Sequence, residues 1–252
     1  MNATAKLIIT ILSFATVIAI LAGLYLHVFK GFSPWTSGKT VSDEKHFEGN
    51  VDRLDVDVNF ADLVVKTGSD VSVSYKMPES LVPSITFEGG TLKVKSKGNK
   101  KTTLSINGDY DIIITVPEGV SVNSVDINTN AGNVDISDLS GTKISVDADA
   151  GNIKCKNINM SIISVDADAG NFDGKSISTD SLSVDMDAGN LVLNDCSVDQ
   201  INADVNAGNI ESHNCTIRRG KCKVDMGNIS LSGDIGDVSV KASLGNTNIN
   251  RD

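Results

Sequence analysis

Aromatic side chains make up only 4 % of the chain, and Trp35 is its only tryptophan. A surface that stacks bases or sugars on aromatic rings is therefore poorly supplied. Basic residues are a minority too: 22 Lys and Arg stand against 32 Asp and Glu, for a formal net charge of -10. A general nucleic-acid binder needs a basic footprint, so that class is excluded. No phosphate-cradling loop occurs, because the Gly-Asn pairs of this chain lack the Gly-Lys-Ser/Thr context. The cysteines Cys155, Cys196, Cys215 and Cys222 form no CxxC pair, and His27, His46 and His213 are scattered. His213 and Cys215 resemble a base and a nucleophile on paper only. Cys215 is expected to point inward and His213 to lie at a bend. Carboxylates are so plentiful that pairing them singles out no hydrolase. No catalytic residue and no cofactor is assigned, and a polysaccharide-acting β-helix enzyme stands last among the readings.

What the chain does have begins with an apolar run. Between Lys6 and Lys30 lie 23 residues without Asp, Glu, Lys or Arg. That length suits a helix crossing a hydrocarbon layer, and no clear A-x-A cleavage site follows it. The expected organisation is a short tail over residues 1–6, a transmembrane helix over 7–29 and a linker over 30–46. A β-solenoid over 47–252 completes it, with regular repeats from about residue 127. Charges on the two sides of the apolar run barely set an orientation.

The repeat is the strongest signal. Gly132, Gly151, Gly170, Gly189, Gly208 and Gly227 follow one another at intervals of 19 residues, and Gly245 follows after 18. Each is followed by asparagine: Asn133, Asn152, Asn171, Asn190, Asn209, Asn228 and Asn246. A period near 20 without helical patterning points to a single-stranded parallel β-helix. Stacking the copies gives apolar columns two residues apart, which share one face of a strand. One is Ile127, Val146, Val165, Val184, Ala203, Cys222 and Val240. Another is Val134, Ile153, Phe172, Leu191, Ile210 and Ile229, ending at Thr247. The column beside the glycines, Ala131, Ala150, Ala169, Ala188, Ala207, Met226 and Leu244, is also expected inside, where small residues suit a narrow interior. Gly-Asn is then a structural corner: glycine adopts positive φ, and stacked asparagines bond one another.

Outward positions carry Asp147, Asp166, Asp185 and Asp204 in one stripe, and Asp149, Asp168, Asp187, Asn206 and Asp225 in a second. The first reading is a solvated acidic face. Asp147, Asp149, Asp166, Asp168, Asp185 and Asp187 are kept as weak divalent-cation candidates, since a bound cation would offset their repulsion. Cys196 and Cys215 share a column in adjacent coils and are within disulfide reach; the alternative is that both fill the core.

Residues 47–120 are strand-rich but irregular. LDVDVNFADLVVKTG alternates apolar and polar residues, Gly89-Gly90 separates two short strand patterns, and Asn107-Gly108 is a hairpin signal. Antiparallel hairpins are expected here as caps on open sheet edges. Val120 and Val125 lie one period before Leu139 and Ile144, so no domain break is expected there.

Residues 50–250 resemble an uncharacterised bacterial family labelled "putative adhesin". The resemblance is carried by LDVDVNFADLVV, by ITVPEG from Ile114 to Gly119 and by the VDADAGN-type repeats. It implies a β-helix held in or on a bacterial envelope, in some members beside stress-response genes, with no catalytic residues to carry over. With the apolar amino terminus, it gives a single-pass cell-membrane protein with its bulk extracytoplasmic. The expected function is a membrane-anchored adhesin or envelope interaction protein meeting other envelope proteins or cell-wall polymer. The alternative is a structural spacer or shield at the cell surface.

Overall fold

The computed structural model describes residues 39–96 and 110–251. All of them belong to one compact unit. Its strands are β1 (Thr40–Phe47), β2 (Arg53–Phe60), β3 (Asp62–Gly68), β4 (Val71–Pro78), β5 (Ser84–Glu88), β6 (Thr91–Lys95), β7 (Asp111–Pro117), β8 (Ser121–Ala131) and β9 (Val134–Ser137). They continue as β10 (Ser140–Ala150), β11 (Ile153–Ala169), β12 (Phe172–Ala188), β13 (Leu191–Asn194), β14 (Ser197–Ala207), β15 (Ile210–Met226), β16 (Ile229–Leu244) and β17 (Thr247–Arg251).

The shape of one coil can be read from β11. Its buried residues are Ile153, Cys155, Ile158, Met160, Ile163, Val165 and Ala167. Along a straight strand the inward positions recur every second residue. Here the interval becomes three between Cys155 and Ile158, and again between Met160 and Ile163. Each longer step lets the chain turn while its apolar side chains keep facing the same centre. The Gly-Asn pair makes the third turn, so a coil has three short sides.

Successive coils stack in parallel and in register. Val146 pairs with Val165, Val165 with Val184, Val184 with Ala203, Ala203 with Cys222, and Cys222 with Val240. One coil cannot bury its own apolar edge; the next, about 4.8 Å away, covers it and satisfies its backbone. In the last coil Ser212 pairs with Leu231 but Cys215 with Gly233, so one residue is lost between them. That loss accounts for the final interval of 18.

The column beside the glycines lies outside, contrary to expectation. Ala150, Ala169 and Ala188 are exposed, and Met226 and Leu244 are 56 % and 71 % exposed. Their place in the alternation would bring them inward, but the chain is already swinging into the glycine corner. The small core residues are instead Ala148, Ala167 and Ala203.

The amino-terminal part is a layered cap on the first coil. β2 lies parallel between β6 and β8, and β3 lies parallel between β7 and β9. Antiparallel pairs finish it: β4 on β7, β1 on β4 and β5 on β6. Residues 40–46, read as linker, thus belong to a paired strand. Gly89 and Gly90, with φ of 54° and 74°, turn the β5–β6 hairpin; Asn107-Gly108 lies outside the described residues.

The expected transmembrane helix is corrected. The helical element among the described residues is the three-residue turn Glu79–Leu81, and none of their helices is long and apolar enough to cross a membrane. Their apolar residues alternate along strands and face a shared core, which leaves no continuous apolar surface of the kind a spanning helix presents. Residues 7–29 themselves lie outside the described residues. The membrane anchor, the membrane as partner and the single-pass location with an extracytoplasmic bulk are corrected with it, since no helix among the described residues supports them.

Candidate functional site

Three corners run the length of the stack, and each is built from a different residue chemistry. At the first, Gly170 has φ of 149°, and a Cβ there would lie 1.8 Å from the carbonyl oxygen of Gly151. Only a residue without a side chain lets the coils approach so closely. The following asparagines form a ladder. Asn171 donates its backbone N–H and its Nδ2–H to Asn152 Oδ1 at 3.2 and 2.9 Å, and Asn190 does the same to Asn171 at 3.0 and 3.1 Å. The pattern starts at Asp62, whose Oδ1 accepts from Asn133 N and Nδ2 at 2.7 and 3.0 Å, and it ends with Asn246 N on Asn228 Oδ1 at 3.1 Å.

The second corner carries Asp138, Asn157, Ser176, Asp195 and Asn214, all at φ between 54° and 60°. Asx side chains tolerate this left-handed conformation better than other non-glycine residues. Asn157 donates to Asp138 and Asn214 to Asp195, both at 2.8 Å. Sequence reasoning placed a bend only at His213, beside Asn214; the signal of the whole corner is a column of Asp, Asn and Ser at the repeat interval.

Beside the third corner lies a groove of about 600 Å³. Ser121, Ser140, Asn159, Ser178 and Ser197 line it in register, one from each coil. Thr179 forms part of its floor. Its hydroxyl is within hydrogen-bond distance of the Ser161 and Ser181 carbonyls, at 3.1 and 3.0 Å, so an inward polar group is satisfied. Asp180, Asp199 and Arg218 close one end. Arg219 Nη2 lies 2.7 Å from Asp199 Oδ2, and Arg218 Nη1 lies 3.5 Å from Asp199 Oδ1. The groove offers hydroxyls, amides and a paired charge cluster. It holds no nucleophile with an adjacent base. Its sequence signal is a column of Ser and Asn at the repeat interval, which any outward strand face would also leave.

The acidic stripes stand on the side between the third and first corners. Asp147, Asp166, Asp185 and Asp204 are in register, and Lys223 follows Asp204. Burial, then the charges of Asp166, Asp204 and Asp187, raise the Asp185 carboxyl above its ordinary value. Lys223 ends the run of like charge, with Nζ 3.1 Å from Asp204 and 3.2 Å from Asp225; its hydrogen bond holds Asp225 below the usual carboxylate range. In the second stripe, Asn206 donates to Asp187 at 2.7 Å. Among the described residues no three His, Cys, Asp or Glu side chains come together as metal ligands. Carboxylates that leave separate coils in parallel spread along the stack instead of converging. Asp147, Asp149, Asp166, Asp168, Asp185 and Asp187, the weak divalent-cation candidates, belong to no such group.

All four cysteines are buried and free. Cys196 and Cys215 meet without a disulfide: the Cys196 backbone N–H donates to Cys215 Sγ at 3.4 Å. The contact with Cys196 holds the Cys215 thiol below its ordinary value, while the same contact and burial push Cys196 up. Burial pushes Cys155 and Cys222 up to about 12. His213 points to solvent beside Glu211, with Nε2 3.7 Å from Oε2, and Cys215 faces the core. The two make no catalytic pair.

Comparison with other proteins follows the same outline. The profile of the Toastrack DUF4097 family matches residues 51–252. No curated protein matches the chain. A "putative adhesin" from Bacteroides fragilis superposes with a TM-score of 0.58 at 14 % identity, over 84 % of this chain and 98 % of that one. A "putative lipid binding protein" from Parabacteroides distasonis gives 0.59 at 22 % identity, over 86 % and 98 %. A "putative adhesin" from the same species gives 0.50 at 14 % identity, over 86 % and 98 %. At such identities the likeness shows the fold.

Proposed function

The chain belongs to the Toastrack DUF4097 family, and from that premise we propose that it is a non-enzymatic structural spacer or shield at the cell surface. The observation that carries this reading is the unbroken hydrogen-bonded ladder from Asp62 to Asn246 along the glycine corner. A coil locked to its neighbours by backbone, core and corner is a rigid increment of about 4.8 Å. Number of coils then sets reach. The side chains on the outer faces form periodic solvated rows, and the names borne by the structural relatives are those of adhesins and a lipid-binding protein, none of them an enzyme's.

Removal of whole coils tests the reading. Deleting residues 153–171 joins Asn152 to Phe172 in the same register, and deleting 153–190 joins Asn152 to Leu191. On cells displaying the protein, exclusion of size-graded antibody fragments from the surface is expected to weaken in steps with each deletion. The paired substitution Ser178→Ala and Ser197→Ala in the groove is expected to leave exclusion unchanged. Exclusion that ignores coil number but is lost with the groove serines would show a local binding site and overturn the spacer.

A further inference from the structure

The two ends of the solenoid are finished differently. At the amino-terminal end the outermost strands, β1 and β5, run antiparallel to the strands inside them. At the other end the outermost layer is the second half of β16, residues 237–244, together with β17. Over that half, β16 pairs with β15 on one side. No strand among the described residues covers its other side. The core is open there. Val240 and Ala242 are only half-buried, whereas Val165 and Ala167, in the same columns, are each 2 % exposed. Leu244 is largely exposed at the strand end.

Open edges in natural sheets are usually blunted by proline, a bulge or charge. Residues 237–244, DVSVKASL, contain no proline, and their register with β15 is unbroken. Their charged residues are Asp237 and Lys241, both exposed. These two are placed symmetrically about Ser239. An antiparallel pairing of this edge with an identical edge, centred on Ser239, sets Asp237 of each copy against Lys241 of the other and Val238 against Val240. A shift that set Lys241 against itself would place like charges opposite, which destabilises a cross-strand pair.

We propose that this end of the solenoid is a self-association surface, on which a second copy of the chain pairs antiparallel through residues 237–241 about a two-fold axis. Such a contact is isologous: one patch meets itself, so the assembly closes at two copies. It covers the half-buried Val240 and turns the two charges that would otherwise discourage edge pairing into two cross-strand ion pairs.

The test uses the full chain. In the centred pairing the two Ser239 residues face each other, with Cα atoms about 4.5–5.5 Å apart, within the span of a disulfide. Under a mild thiol oxidant such as diamide, the Ser239→Cys variant is expected to give a covalent dimer. Ser164→Cys, in the same column but mid-stack, is the control and is expected to stay single. Adding Lys241→Asp to Ser239→Cys is expected to lower the cross-linked fraction about tenfold, and adding Asp237→Lys as well to restore it. Thermal melts confirm that each variant folds. Equal cross-linking of the two cysteine variants, none with either, or indifference to the charge swap would overturn the proposal. So would blocking of the Ser239→Cys link by a non-identical strand captured on the edge.

Discussion

The coils from β10 to β16 and the layered cap from β1 to β7 bury the same kinds of side chain, yet they are connected in opposite ways. In the coils each residue meets the one 19 positions on, or 18 in the last coil, so Asp166 meets Asp185 and Asn171 meets Asn190. In the cap, Leu54 meets Leu92 on one side and Val125 on the other, and Leu63 meets Ile112 and Val134. Repetition forces every feature of a coil, good or bad, to be stacked on its own copy. An asparagine that bonds its neighbour becomes a ladder, and an aspartate that repels its neighbour becomes a charged row. The cap has no such amplification and can take residues one at a time.

That contrast is sharpest at glycine. Gly170→Ala, in the coils, is expected to cost about 3 kcal/mol or more, because a Cβ would meet the Gly151 carbonyl at 1.8 Å in a strained conformation. Gly89→Ala, in the β5–β6 hairpin, has open space around its Cβ and is expected to cost about 1 kcal/mol. Urea melts of the two variants measure the difference; equal costs would erase the distinction between the regions.

The junction between them gives the next effect. Asp62 belongs to the cap, but its carboxylate accepts the first two bonds of the asparagine ladder. Asp62→Ala is expected to cost about 1 kcal/mol and to raise hydrogen exchange first at Asn133, next to the break.

A smaller effect separates two carboxylates within the coils. Asp185 has its folded value raised, chiefly by burial and then by its neighbours, so its ionisation opposes folding. Stability from this group falls as pH climbs from the ordinary value of 3.8 through the raised one. Asp185→Asn is therefore expected to raise the melting temperature slightly at neutral pH and to leave it unchanged below that window. Asp225, lowered by Lys223, has the opposite sign: its contribution is present above the ordinary 3.8 and is lost as pH falls through the lower folded value. Asp225→Asn is expected to lower the melting temperature at neutral pH. Melting curves from pH 2 to 7 check both signs.

The last expectation is an effect near zero. Cys196 and Cys215 are 3 % and 1 % exposed, so a thiol reagent should label neither before unfolding, even with the Cys215 thiol held below its ordinary value. Labelling that precedes unfolding would show that the coils open locally.

The same repetition decides what could be read in advance. The core columns were legible because Val146, Val165 and Val184 recur at one interval and alternate with polar residues. The alanines beside the glycines were misplaced because alternation alone does not say where a strand ends and a corner begins. The corner at Asn157 and the serine column of the groove left only polar columns, which an outward strand face would also leave. The strand order of the cap was hidden for a different reason. Its partners are tens of residues apart at unequal intervals, and nothing local in Leu54 names Leu92 and Val125 over any other pair of strands. The membrane reading rested on residues 7–29 and on the family resemblance, and nothing among the described strands called for it.

The asparagine row has a direction. Each asparagine from Asn133 to Asn228 hands its amide hydrogens down to the oxygen of the coil before and turns its own oxygen up to the coil after, so the small dipoles add instead of cancelling. Their positive pole lies at the first rung, where the Asp62 carboxylate sits, much as an acidic residue sits at the start of a helix. The stack is therefore polar along this edge: its first rung presents hydrogens to the cap, and its last presents oxygens toward the carboxy terminus.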